Sequence, residues 1–354
     1  MRNNLFTAAR SVALIFFVLL AVGALANESD YTKDYYPLVN KAELSILESN
    51  YSEALELYQE AFKAVPTPFA RDYYNAAVCA MLLENKKQSL TYLEKLASKG
   101  VSIDYLAQQP VFDAMQTTKQ WRKFKRKYPK YRKQYDSQVN LDLRADLDEL
   151  YARDQYFREA KGGLRVYADT LRKIEAANTE QFLEWVKTYG YPGEALIGVG
   201  DTLEQLPRFS IIIQRQTKAR QGYDFSKILS EAVKQGRISP QAAAYLIEQQ
   251  VGRSKYGSKA YVQISCSTCE EERVSDNLGK YLEEKRTEKE LLTIDANRKV
   301  LGLESFNDYK RKVLYSLEDK RFKLGYSWSV VNYKVPSKEA AKIMLEKFIV
   351  ADAE

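Results

Sequence analysis

The sequence predicts a mainly α-helical protein, in which a short solenoid of helical repeats precedes a second, mostly helical domain with a small C-terminal hairpin. Ala54, Tyr58 and Ala61 recur at helical spacing just before the helix-breaking Pro66. The same offsets return about 35 residues later, and a period of this length is typical of stacked helical hairpins. Strand-forming runs are short and fall in the last third of the chain.

The N-terminus has the pattern of a cleaved signal peptide. Arg2 and Arg10 are followed by an almost wholly apolar run of about fifteen residues, shorter than the roughly twenty that span a bilayer as a helix. Small residues at Ala24 and Ala26 meet the requirement of a signal peptidase. We therefore expect residues 1–26 to be a signal peptide, cleaved after Ala26, and a periplasmic or secreted location. An uncleaved membrane anchor is the less favoured alternative.

Composition excludes several classes of enzyme. The chain has 54 Lys and Arg, 47 Asp and Glu, and no His. Catalytic triads with a histidine base, His-ligated zinc and His-based pH sensing are thus ruled out. An enzyme here would have to use Asp, Glu, Lys, Tyr, Ser or Cys, and no pattern indicates a cofactor or a metal site. The 26 Tyr residues favour a packed fold with amphipathic faces.

The sequence leaves three alternatives open for the state of two of its three cysteines. Cys266 and Cys269 form a C-x-x-C pair, which could be a structural disulfide, a redox pair or two free thiols. The acidic run at residues 270–272 opposes a thiolate, so we favour the structural disulfide. Cys79 falls in a repeat helix and is expected to be a small core residue.

The first predicted domain spans residues 31–135. Its helices carry small and aromatic residues at residues 38–45, 50–66, 73–80 and 89–96. This order resembles the tetratricopeptide repeat family, above all in the second helix of each repeat. The family's preferred Gly between the helices is replaced by Glu84-Asn85. The segment from residue 104 to 124 resembles the cap that often closes short bacterial repeat arrays.

The repeat resemblance implies a concave face that could seat a peptide. The alternative is that this face packs on the second domain. The residues placed there by the family pattern are Tyr36, Val39, Glu43, Tyr74, Val78 and Met81.

Residues 119–133 form a basic segment with nine Lys or Arg residues and no acid. Aromatic residues at 121, 124, 128 and 131 make one stripe of an amphipathic helix, which Pro129 is expected to interrupt. Three interpretations are open: a solvated helix docked on the repeats, a contact with an anionic envelope lipid or glycan, or a nucleic-acid contact. Export makes the last the least favoured, and no nucleic acid is expected as a partner.

The second predicted domain spans residues 140–317, and residues 318–354 are predicted to be a C-terminal extension with a hairpin and a final helix. The order of short motifs resembles a bacterial family catalogued only as a domain of unknown function, family 6624. The resemblance covers roughly Leu143 to Tyr315. The motifs include Asp154-Gln155 with Arg158, Tyr189-Gly-Tyr-Pro192, Gln214, Tyr256-Gly257-Ser258 and Ile294-Asp-Ala-Asn-Arg298.

The departures from that family favour binding over catalysis. Arg215 stands where the family has His, and Lys255 and Lys259 stand where it has Gln. A catalytic role that depends on the His would be lost, whereas an anion-binding role would be kept or strengthened. The candidate polar cluster consists of Asp154, Gln155, Arg158, Gln214, Arg215, Glu248, Tyr256 and Lys259.

The first functional hypothesis is an exported interaction or scaffold protein, whose repeats seat a protein or peptide partner. The second is a His-free envelope hydrolase in the second domain, with Asp154, Glu248 and Tyr256 as candidates. The third is a binder of polyanions or of an anionic envelope surface through Lys119–Lys133.

Overall fold

The structure is a computed structural model that describes residues 29–199, 203–248, 254–266 and 277–351. The signal peptide predicted at residues 1–26 lies outside these ranges. Among the described residues, no helix has both the length and the apolar character needed to cross a bilayer.

The first part of the chain is helical, as predicted, and is built from two similar hairpins. Within each hairpin the two helices pack on each other, and the hairpins meet where the second helix of one packs on the first helix of the next. The elements are α1 (Tyr31–Asp34), α2 (Tyr36–Leu47), α3 (Tyr51–Ala64), α4 (Ala70–Leu82), α5 (Lys86–Ser98), α6 (Ile103–Ala107), a 3-10 turn (Pro110–Phe112) and α7 (Asp113–Gln116).

The positions that predicted the repeat are buried. Ala54, Tyr58 and Ala61 on α3 are fully buried, and so are Ser89 and Leu93 at the matching positions of α5. Small residues beside a large one let two helices approach closely while the large side chain fills the space between them. The repeated pattern of small and large residues in the sequence therefore corresponds to the repeated helical hairpin in the structure.

The two hairpins also share an unusual backbone turn. Ser49, before α3, has φ 60° and Glu84, before α5, has φ 58°, both in the left-handed region. This conformation favours glycine, because a Cβ crowds the following carbonyl oxygen. It explains why Gly would suit the position where the sequence has Glu84.

The basic segment is a single helix, α8 (Lys119–Gln138), that runs through Pro129. The interruption predicted at Pro129 is wrong. Trp121 and Phe124 before the proline and Tyr135 after it are buried, and the helix packs on α5. Burial on both sides of the proline holds the helix together despite the missing backbone N–H.

The second part of the chain is also mostly helical, which confirms the fold class. Helices α9 and α10 pack on each other, and α12 packs on α10 and α14. The elements are α9 (Leu141–Glu159), α10 (Gly163–Tyr189), α11 (Glu194–Ile197), α12 (Ser210–Lys218), α13 (Ser226–Lys234), α14 (Pro240–Glu248), β1 (Tyr261–Cys266), β2 (Leu282–Glu284), α15 (Glu288–Val300), α16 (Phe306–Glu318), β3 (Val330–Val335), α17 (Lys338–Leu345) and β4 (Phe348–Val350).

The strands form one mixed sheet in the order β3-β1-β2-β4. The strands predicted near residues 261–264 and 326–335 are present, but they do not form a hairpin in the C-terminal extension. Instead β3 pairs in parallel with β1, from Tyr261 opposite Val330 to Cys266 opposite Val335. A parallel pair needs a crossover connection, which the intervening α15 and α16 supply. The final strand β4 pairs antiparallel with β2.

One hydrophobic core joins the helical hairpins to the second part of the chain. Its buried residues form one packed cluster whose members come from Tyr31 to Trp328, including Phe322 and Leu324 of the predicted extension. The rings of Tyr51 and Phe322 stack with centroids 5.9 Å apart across this junction. A smaller core under the sheet contains Ile264, Leu282, Val335 and Ala341.

Candidate functional site

The predicted peptide-binding face of the repeats is covered by the second part of the chain. Tyr36 is buried and its hydroxyl donates to the carbonyl of Ile238 at 3.3 Å. Glu43 is buried against Lys312 of α16. An open peptide groove is therefore not formed at these residues, because the second part of the chain covers them.

The other four residues of that face do not form a seat either, and Val39 is buried. Tyr74 and Val78 are fully buried, and the hydroxyl of Tyr74 donates to the side-chain oxygen of Gln109 at 3.2 Å. Met81 is half-buried and packs against the main core.

A chain of buried charges crosses the junction. The ammonium of Lys312 contacts the carboxylates of Glu43 and Glu304, the latter at 2.7 Å, and Arg298 lies 3.4 Å from Glu304. Burial alone would lower the pKa of Lys312, but the charges of Glu304 and Glu43 outweigh it and raise the pKa. Burial alone would likewise raise the pKa of Glu304, and the charges of Lys312 and Arg298 reverse this. The neighbouring charges therefore favour the ionised forms of Lys312 and Glu304.

Six of the eight residues in the candidate polar cluster fall into two separate groups. In the first, the buried carboxylate of Asp154 accepts hydrogen bonds from Arg158 at 3.3 Å, Arg215 at 3.3 Å and Gln155 at 2.7 Å. Arg158 also contacts Glu175 of α10. Since α9, α10 and α12 each contribute a side chain, this group ties three helices together.

The second group is centred on Glu248 at the end of α14. Its carboxylate accepts hydrogen bonds from the backbone N–H of Tyr256 and of Ser258, the latter at 2.9 Å, and from the Ser258 hydroxyl. The carbonyl of Tyr256 in turn accepts from Arg298 at 2.7 Å. These bonds fix the turn that leads into β1.

Neither carboxylate is placed as a free acid or base. Asp154 and Glu248 each accept hydrogen bonds from three donors within the protein. A general acid or base must instead reach the proton of a substrate. Gln214 and Lys259 belong to neither hydrogen-bonded group among the described contacts. Both groups thus act as structural ties.

Sequence reasoning missed a third cation beside this cluster. Partial burial lowers the pKa of Lys218, and the nearby charges of Arg215 and Lys259 lower it further. Arg215 and Lys259 therefore lie close to a third positive charge. Its signal in the sequence was the spacing of Arg215 and Lys218, one helical turn apart.

The basic helix α8 turns its aromatic stripe inward and its cations outward. Trp121 and Phe124 are buried, and Tyr128 donates to the carbonyl of Val101 at 3.3 Å. Arg132 is half-buried, donates to the carbonyl of Gly100 at 2.8 Å and lies 3.9 Å from Asp136. The other eight cations are exposed and form no ion pair with any described residue: Lys119, Arg122, Lys123, Lys125, Arg126, Lys127, Lys130 and Lys133.

The cysteines divide as follows. Cys266 is disulfide-bonded, so the free-thiol alternative is wrong for it, and Cys269 lies outside the described residues. Cys79 is a free, buried thiol, and burial raises its pKa to about 12. The described part of the chain contains no group of His, Cys, Asp and Glu side chains that could hold a metal ion.

No protein-family model, curated protein or solved structure matches this chain. The resemblances to tetratricopeptide repeats and to family 6624 therefore stay predictions that rest on the quoted motifs.

Proposed function

We propose that this protein binds an anionic surface of the cell envelope through the exposed side of α8. The observation that carries the proposal is the set of eight exposed cations that have no carboxylate partner among the described residues. Cations concentrated on one surface without counter-charges attract anions strongly. The signal peptide predicted at residues 1–26 would bring this surface to the envelope.

The form of α8 fits an extended anionic surface. A helix of 20 residues is about 30 Å long, so its cations are spread along a rod rather than gathered in a pocket. Each Lys or Arg close to an acidic membrane contributes about 1 kcal/mol of attraction. Several such contacts made together would give a useful affinity without any specific pocket.

Burial of the aromatic stripe favours a lipid surface over a nucleic acid. Proteins that bind single-stranded nucleic acid stack bases on aromatic rings, and those stacks supply much of the affinity. Trp121 and Phe124 are turned towards α5 and the core, where no base could reach them. Because these aromatic side chains are buried in the protein, α8 is held on the membrane surface by charge attraction. It does not insert apolar side chains into the bilayer.

The helical hairpins act in this proposal as the platform that presents α8. Their predicted groove is covered by the second part of the chain, so the scaffold hypothesis has no open groove to support it. The hydrolase hypothesis has no support either, because Asp154 and Glu248 are engaged within the protein.

The test is sedimentation with vesicles of phosphatidylcholine alone or mixed with phosphatidylglycerol. We expect binding only to the acidic vesicles, with a steep decrease as salt is raised. The variant Lys123→Glu/Lys127→Glu/Lys130→Glu should lose this binding.

A matched control reverses three exposed lysines elsewhere, in Lys63→Glu/Lys86→Glu/Lys234→Glu, with the same change of net charge. This control should keep most of the binding. Equal loss in both variants would show that only net charge matters, and no binding to acidic vesicles at low salt would refute the proposal.

A further inference from the structure

A cavity of about 130 Å³ lies where the helical hairpins meet the second part of the chain. Its walls come from α2 and α4 on one side and from residues 191–199, 203–207, 237–242 and 324–328 on the other. Most of the lining is apolar or aromatic, including Val39, Phe69, Leu324 and Trp328. An apolar cavity of about 150 Å³ in another protein is large enough to hold benzene. This cavity is slightly smaller but partly open to solvent, so one ring or a short branched chain is the largest apolar body that it takes.

Arg71 brings an unpaired positive charge to the cavity wall. Its side chain is 93% buried, since its exposed fraction is 7%. The Nε–H donates to the carbonyl of Lys323, and the guanidinium lies over the ring of Tyr326 with its carbon 3.8 Å from the ring centre. No carboxylate of the described residues lies within ion-pair distance of the Arg71 guanidinium. Its two terminal nitrogens donate no hydrogen bond to any described residue.

Burial lowers the pKa of Arg71, and nearby Tyr326, Glu43 and Asp72 outweigh burial and raise it, but no carboxylate of the described residues forms an ion pair with Arg71. Lys312 neutralises Glu43, and Glu194 accepts from Lys99 at 3.5 Å and from the backbone N–H of Ala70 at 2.9 Å. Asp72 accepts a 2.5 Å hydrogen bond from Tyr35. Burial raises the pKa of Asp72 to about 7, so it is only partly ionised near neutral pH.

The remaining cation at the cavity is engaged elsewhere. Arg237 is half-buried and donates to the carbonyls of Tyr189 at 2.8 Å and Tyr191 at 3.2 Å. Arg71 is thus the cation of this cavity best placed to receive an anion.

Three further polar atoms at the cavity are buried without a hydrogen-bond partner among the described residues: the indole N–H of Trp328, the side-chain oxygen of Gln241 and the hydroxyl of Tyr191. The amide nitrogen of Gln241 is already bonded to Glu304 at 3.1 Å, which fixes the oxygen in place. Buried polar groups are normally hydrogen-bonded, so unpaired ones at a cavity point to a ligand.

We infer that this cavity binds a small organic carboxylate with a compact apolar body. The carboxylate pairs with the guanidinium of Arg71, which is suited to planar oxyanions. The apolar body occupies the space between Val39, Leu324 and Trp328. A ligand hydroxyl or amine can donate to the oxygen of Gln241, and the Trp328 N–H can donate to a ligand oxygen.

Isothermal titration calorimetry with benzoate and 4-hydroxybenzoate tests this inference, with benzamide and benzylamine as neutral and cationic controls. We expect both carboxylates to bind saturably, 4-hydroxybenzoate more tightly, and the two controls at least tenfold more weakly. Failure of both carboxylates to bind would overturn the inference, as would equal affinity for benzamide.

The variant Arg71→Met should weaken benzoate binding at least tenfold, while Arg220→Met, which removes an exposed arginine, should leave it unchanged. Because Arg71→Met also loses the hydrogen bond to the carbonyl of Lys323, a circular-dichroism spectrum equal to that of the wild type has to show that the variant is folded. A second variant, Val39→Phe, fills the cavity but keeps Arg71 and should also abolish binding. Benzoate binding that survives either Arg71→Met or Val39→Phe would overturn the inference.

Discussion

Lys312 and Glu43 form a buried ion pair between residues that are 269 positions apart in the sequence. Glu43 belongs to the first helical hairpin and Lys312 to α16 near the end of the chain. Glu304 shares the same ammonium at 2.7 Å. The helical hairpins and the second part of the chain are thus joined by charge as well as by a continuous apolar core.

Replacement of Lys312 by Met should destabilise the protein strongly. It leaves two buried carboxylates without their common partner, and breaking a buried pair in this way costs about 3–5 kcal/mol. Urea unfolding measures the change, and Lys320→Met, on an exposed position of the same region, should cost less than about 0.5 kcal/mol. A similar small effect for both variants would contradict the role of the ion pair.

Asp72 should make stability depend on pH. Its pKa in the folded protein is about 7, because of burial and the charge of Glu43, against 3.8 for an ordinary Asp. Because the pKa is raised in the folded state, the stabilising contribution of Asp72 to the unfolding free energy is fully present below about pH 4. It is lost as the pH rises through about 7. The three-unit difference corresponds to about 4 kcal/mol.

The variant Asp72→Asn removes this titration but keeps an acceptor for Tyr35. Between pH 4 and pH 8 the wild type should therefore lose about 4 kcal/mol of unfolding free energy relative to the variant. Denaturant titrations at several pH values measure it. The exposed Asp148→Asn should follow the wild type, and parallel curves for Asp72→Asn and the wild type would rule out the raised pKa.

Local features of the fold were predictable from the sequence, because they depend on neighbours a few residues away. The buried positions of α3 and α5 follow from helical periodicity, and the inward stripe of α8 follows from residues 121, 124, 128 and 131. Strand β1 was predictable from its run of β-formers. Its parallel partner β3 was not, since pairing across 69 positions leaves no local trace.

The cavity could be predicted only in part for the same reason. Tyr36, Val39 and Glu43 were placed on one face by the repeat pattern, and the structure finds all three at the cavity. The residues that close it, such as Gln241 and Trp328, come from distant segments with no recognisable motif. One signal was present: Arg71-Asp72 is a charged pair in a helix otherwise rich in Ala and Tyr. Charged residues on a repeat's inner face are uncommon unless they have a partner or a ligand.

The left-handed turn residues predict a stabilising substitution. Glu84 holds φ at 58°, a conformation that costs an L-residue about 1–2 kcal/mol and glycine almost nothing. Glu84→Gly should raise the unfolding free energy by about 0.5–1 kcal/mol, after the entropy that glycine loses on folding. The control Glu56→Gly lies on an exposed position inside α3 and should lower it by a similar amount. Thermal unfolding of both variants checks the opposite signs.

Pro129 provides the last prediction, because α8 continues through it. A proline inside a helix lacks the N–H that would bond to the carbonyl of Lys125, and it costs about 3 kcal/mol in an unconstrained helix. Part of that cost is offset because proline also restricts the unfolded chain, by about 0.4–1 kcal/mol. Pro129→Ala should therefore stabilise the protein by about 2 kcal/mol, and Lys130→Ala beside it should change stability by less than about 0.5 kcal/mol. The eight exposed cations keep their places in Pro129→Ala, so its binding to acidic vesicles should equal that of the wild type. A less stable Pro129→Ala protein would mean that the path of α8 depends on a bend at the proline.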